Sequence, residues 1–201
     1  GLEEYKNQHI PNSIFFDLDA NSKKEINLPH MLVDQNDWIQ IVSKMGIKNE
    51  DEIVVYDNSD VISSCRCWFN FIYFGHNPKL VHVLNGGLKK WIEENKEVTN
   101  DVTSIETSDY KSFEKKELVK NKEQIDLNIA EQYFKMIDAR SKERFEGKVQ
   151  EPRKGLRSGS IKNSFCIPFN QCLNEDKTFK NKEDLKMVFE TCLENINEKN
   201  I

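Results

Sequence analysis

Apolar positions along this chain recur with two different periods. Trp38, Ile41, Val42 and Met45 fall on one helical face, with Asp34 or Asn36 available as a cap and Gly46 as a stop, so the spacing predicts a helix over 34–45. Ile53-Val54-Val55-Tyr56 is an unbroken apolar run, the pattern of a strand buried on both faces. The polar turn Asp57-Asn58-Ser59-Asp60 follows, and then an apolar-aromatic segment from Cys67 to Phe74 that predicts a helix ending at Gly75. Leu80 to Leu84 predicts a second strand, Asn85-Gly86-Gly87 a turn, and Leu88 to Glu94 a short helix. Asn12 to Asp17 predicts a turn running into a short strand. Strands alternating with helices at short spacing predict an α/β fold with parallel sheets flanked by helices.

The pattern restarts in the second half. A helix ends near Tyr133, a strand covers Met136 to Asp138, a polar loop runs from Gly147 to Ser160, and a last helix begins near Asn181 with Leu185, Val188, Phe189 and Cys192 on one face. Between the halves the chain is rich in Thr, Ser, Asp and Lys without periodicity, which reads as a linker. The expected division is therefore 1–98, a linker at 99–121, and 122–201. A repeat supports it: Ile10, Asn12 and Ser13 match Ile161, Asn163 and Ser164 at a constant offset of 151. That period is domain-sized and predicts two copies of one fold. Both copies are expected to be incomplete, the first opening almost at residue 1 and the second running out at Ile201.

Composition narrows the function classes. With 31% charged residues the chain is polar, yet its twelve Phe and three Trp supply a core that a disordered chain lacks. A net charge of −5 gives no reason to expect nucleic acid as a partner. There is no apolar run of the length that spans a membrane. Five cysteines are an odd number without framework spacing, which reads as reduced, mostly buried thiols in a cytoplasmic protein, an organellar or export signal upstream being left open. Cys65-x-Cys67 lacks a second pair, so no metal site is expected.

Several segments together resemble the tandem rhodanese-domain sulfurtransferases, the thiosulfate and 3-mercaptopyruvate sulfurtransferases in particular. They are His9-Ile10-Pro11, Phe15-Phe16-Asp17-Leu18-Asp19, Pro29-His30-Met31-Leu32, Val55-Tyr56-Asp57, Arg66-x-Trp68 and Phe74-Gly75-His76. Leu84-Asn85-Gly86-Gly87-Leu88-x-x-Trp91, Asp138-Ala139-Arg140-Ser141, Arg144-Phe145-x-Gly147 and Glu151-Pro152-Arg153-x-Gly155 continue the match. The resemblance implies two rhodanese-like domains and an enzyme that moves a sulfane sulfur from 3-mercaptopyruvate or thiosulfate to a thiol or cyanide through a Cys persulfide, without a cofactor. The acceptor would be a small thiol or a thioredoxin-like protein.

The same resemblance suggests the site residues. Arg144 and Arg153 would hold the donor's anionic group, since a guanidinium binds such oxygens bidentately and keeps its charge. Asp19 and His30 would assist proton transfer. Asp57 stands where a first-domain nucleophile would be; a carboxylate forms no persulfide, so this loop is expected to be silent. The repeat places the working Cys loop 47 residues beyond Ile161, past Ile201, so the chain alone is expected to be inactive. A non-catalytic binding or regulatory module is the alternative, and a phosphatase, whose related loop cradles phosphate, is a third reading. Choice of donor, final acceptor and oligomeric state stay open.

Overall fold

In the computed structural model, residues 1–24, 28–59 and 62–193 are described. The chain folds as two compact units, Gly1–Val119 and Lys120–Ile201. Asp60 and Val61, part of the expected silent loop, lie outside the described residues.

The first unit carries helices α1 (Leu2–Asn7), α2 (Gln35–Lys44), α3 (Ile62–Tyr73) and α4 (Gly87–Glu93), with strands β1 (Ile53–Val55) and β2 (Val81–Val83). The strands pair in parallel, Ile53 opposite Val81 and Val55 opposite Val83. The helical stripe predicted around Trp38 is the core: Trp38 is fully buried, stacks on Phe74 at 4.7 Å and meets Phe71 edge-on at 5.1 Å. The apolar run of β1 is not buried on both faces as expected, because Val54 is 56% exposed and lines a cavity of about 780 Å³.

Residues 99–119, expected as a linker, instead run along the first unit. Thr99 exchanges both backbone hydrogen bonds with His9, at 2.8 Å each. The Ser108 amide donates to the Ser43 carbonyl at 3.0 Å and the Lys115 amide to the Tyr73 carbonyl at 2.8 Å. Tyr110 is buried, and its hydroxyl lies 3.0 Å from His76 Nδ1. Burial pushes that phenol up to about 12. A polar composition concealed this segment because most of its hydrogen bonds to the unit use its own backbone groups, which leave no pattern in the residue order, with Tyr110 as its buried side chain.

The second unit carries α5 (Lys122–Glu131), β3 (Met136–Asp138), α6 (Lys142–Phe145), β4 (Ser164–Cys166) and α7 (Lys182–Glu190). Here too the strands pair in parallel, Met136 opposite Ser164 and Asp138 opposite Cys166. Asn121 caps α5 and Asn181 caps α7, each side chain accepting the backbone N–H three residues on. Cys192, expected on the last helix, falls just past its end.

The repeated tetrapeptide makes the same turn in both units. Asn12 has φ 62° and Asn163 φ 64°, a left-handed conformation that Asn tolerates better than most residues. The next amide closes each turn, Ser13 onto the Ile10 carbonyl at 3.1 Å and Ser164 onto the Ile161 carbonyl at 3.2 Å. After the second turn the chain enters β4, whereas residues 13–17 carry no strand assignment.

Candidate functional site

Two charged constellations emerge, one in each unit. In the first, Asp19, His30, Asp57, Asn58 and Ser59 line the polar side of the cavity beside β1. His30 Nδ1 lies 3.4 Å from Asp19 Oδ1, so the structure pairs the two residues suggested for proton transfer. His30 is itself held in a left-handed backbone conformation, φ 56°, and Arg66 donates to its carbonyl.

Asp57 is committed to the fold around it. Its Oδ2 accepts the Ser64 amide of α3 at 2.8 Å and its Oδ1 the Ser59 amide at 3.3 Å, satisfying an orphan N–H of the helix's first turn. Its carbonyl accepts the Leu88 amide at 3.0 Å. Gly87 allows that approach: with φ 59°, a Cβ there would lie 2.7 Å from the Asp57 carbonyl oxygen.

Four of the five thiols are unlike nucleophiles. Burial pushes Cys67 up to about 12, and it raises Cys65, Cys166 and Cys172, with the carboxylates of Asp57 and Asp138 adding to the rise at Cys65 and Cys166. Of the five, only Cys67 is buried; the other four are partly exposed, so the expectation of mostly buried thiols is not met.

In the second unit Arg144 and Glu151 meet, and Arg140 and Asp138 join them. Glu151, its side chain only 3% exposed, accepts from Arg140 Nη1 at 2.8 Å, from Arg144 Nε at 3.3 Å and from Arg144 Nη2. Arg140 also clasps Asp138 through Nε and Nη2 and donates to the Gly159 carbonyl at 2.8 Å. The Arg144 guanidinium beside Glu151 and the Arg140 guanidinium beside Asp138 each hold the carboxyl below its usual range. Arg153 is exposed and has no ion pair among the described residues, and no described contact joins it to Arg144. The sequence showed Asp138, Arg140 and Glu151 only as parts of motifs; their alternating charge was the one signal of a network.

Residues 2–94 match the family model of the rhodanese-like domain. Over this stretch the chain is similar to rhodanese-like domains. Relatives extend the likeness across both units. The chain is 35% identical over 94% of its length to thiosulfate/3-mercaptopyruvate sulfurtransferase 1, mitochondrial, of Arabidopsis thaliana, and 35% identical over 94% to bovine thiosulfate sulfurtransferase. It spans 55% and 64% of those two proteins. Among solved structures, the 3-mercaptopyruvate sulfotransferase SseA of Escherichia coli superposes with a TM-score of 0.84 at 27% identity, covering 94% of this chain and 70% of that one. Tum1 of Saccharomyces cerevisiae gives 0.82 at 30% identity, covering 93% and 64%. The chain is thus similar to sulfurtransferases along both units, and no described helix is long and apolar enough to cross a membrane.

Proposed function

We propose that this chain belongs to a sulfurtransferase that takes sulfane sulfur from 3-mercaptopyruvate or thiosulfate. The observation that carries the reading is the relatedness to such enzymes over 94% of the chain. The cationic side chains of the second unit give it a chemical basis. Arg144 and Arg153 bind the donor's carboxylate or oxyanion, while a Cys thiolate attacks the donor's outer sulfur. With thiosulfate, the new S–S bond of the persulfide forms as the donor's S–S bond breaks and sulfite leaves; with 3-mercaptopyruvate it forms as the C–S bond breaks and pyruvate leaves, its enolate taking up a proton. The acceptor, a small thiol, cyanide or a thioredoxin-like protein, then removes the sulfur. Asp19 and His30 serve as a proton-relaying pair. All five cysteines are free, the state that a reducing compartment such as the cytoplasm maintains.

The nucleophile of this reading is not among the five thiols. Four are raised away from thiolate character. Asp57, with its carboxylate engaged by Ser59 and Ser64, makes the first unit non-catalytic. The test compares the 201-residue chain with the product of the complete gene, using thiosulfate plus cyanide and 3-mercaptopyruvate plus a thiol. Turnover by the complete product and none by the chain is expected; turnover by the chain at an enzymatic rate contradicts the nucleophile's placement. No turnover by either favours the second reading, a binding or regulatory module, which the occupied Asp57 loop also fits.

A further inference from the structure

We infer that Glu151 is a positioning residue: its buried carboxylate grips Arg144 along the Nε–Nη2 edge and leaves the Nη1 edge for the donor anion. The inference rests on the donor-site reading above and deepens it by assigning different tasks to Arg144, Arg153 and Arg140.

A carboxylate that is 3% exposed is costly unless it is paired and hydrogen-bonded, and Glu151 is held by two guanidinium groups at once. Arg140 is consumed by this arrangement. Its Nε and Nη2 serve Asp138, Nη2 also serves the Gly159 carbonyl, and Nη1 serves Glu151. It therefore acts as scaffold: through Glu151 and Gly159 it fastens both ends of the 151–159 stretch to the end of β3. Arg144 is only half consumed. Nε and Nη2 face Glu151, no described hydrogen bond leaves Nη1, and the side chain is 33% exposed.

The four groups of the network, Asp138, Arg140, Arg144 and Glu151, sum to no formal charge. Arg144 consequently offers a fixed hydrogen-bonding edge whose charge Glu151 already offsets. Arg153, two residues beyond Glu151 and without an ion pair among the described residues, supplies the uncompensated charge. Direction comes from the first and long-range attraction from the second. Without Glu151, Arg144 keeps its charge and loses its fixed geometry, which weakens donor binding more than it slows the chemical step.

The experiment measures steady-state kinetics of the complete gene product with thiosulfate and with 3-mercaptopyruvate, alongside 15N NMR of the Arg144 Nε–H in the 201-residue chain. Glu151→Gln is expected to raise KM for both donors about tenfold, the scale of a lost charge-assisted hydrogen bond, with kcat changed less than about twofold. Glu151→Asp should fall between it and the wild type. The Arg144 Nε–H should exchange slowly in the wild type and rapidly in Glu151→Gln. Should Glu151→Gln not fold, Glu151→Asp carries the test with a smaller KM rise, and a wild-type KM overturns the inference. A wild-type KM in folded Glu151→Gln, with KM raised in Arg144→Ala, removes the positioning role and leaves the donor site standing. Unchanged KM in both Arg144→Ala and Arg153→Ala removes the donor site itself, and the inference with it.

Discussion

Trp38 shows how much a single side chain decides in the first unit. It is fully buried, stacked on Phe74 and edge-on to Phe71, so truncation leaves a cavity that these rings fill only in part. Trp38→Ala is expected to cost about 3–5 kcal/mol, read as a lowered urea midpoint at an unchanged slope. Gly87 is the opposite case, a position where any side chain is too much. Its positive φ and its closeness to the Asp57 carbonyl predict that Gly87→Ala costs about 1–3 kcal/mol, with a thermal melt as the measurement. Cys67, buried and pushed up to about 12, should resist iodoacetamide at neutral pH until the protein unfolds, as mass spectrometry of labelled peptides can show. Trp38 was legible from helical spacing alone. Glu151 was not, because its partners lie 7 and 11 residues away in polar sequence, where no periodicity marks them.

At the scale of elements, turns were the most readable parts, whereas Asp34, expected as a cap of α2, makes no side-chain cap hydrogen bond. The Asn at the third place of each turn element adopts a left-handed φ in both units, so the duplication seen in the letters is also a duplication of backbone geometry. Asn163→Ala should destabilise the second unit by about 1–2 kcal/mol and Asn163→Gly by much less, in chemical denaturation of the pair. The placement of β1, β2 and β3 was readable within a residue or two, whereas the strand expected after the Asn12 turn did not form. Burial was less readable: the same Ile-Val-Val run leaves Val54 exposed, because burial depends on what packs against each face. Segment 99–119 escaped prediction for a related reason. Its attachments to His9 and Tyr73 run through backbone amides and carbonyls, and those to Ser43 and Phe74 do so in part.

Across the whole molecule, the paired carboxylates make acid the condition that most directly challenges the second unit. Asp138 and Glu151 have folded pKa values lowered by Arg140 and Arg144. Their contribution to stability is therefore present above the unfolded carboxylate values, about 3.9 and 4.3, and is lost as pH falls through the lower folded ones. Thermal melts between about pH 6 and pH 3 should show a steep decline that Glu151→Gln flattens. A slope unaltered by that substitution would place the acid-sensitive groups elsewhere. What could be read directly from the residue order was local: helix faces from apolar spacing, the turn at Asn12, and a family likeness from the sum of short motifs. Folding alone disclosed that 99–119 belongs with the first unit, that Asp57 is occupied by amides of its own loop and helix, and that Arg144 shares Glu151 with Arg140. The difference is physical: φ preference and periodicity act over a few residues of sequence, whereas burial and ion pairing depend on groups that only the folded chain brings within a few ångströms.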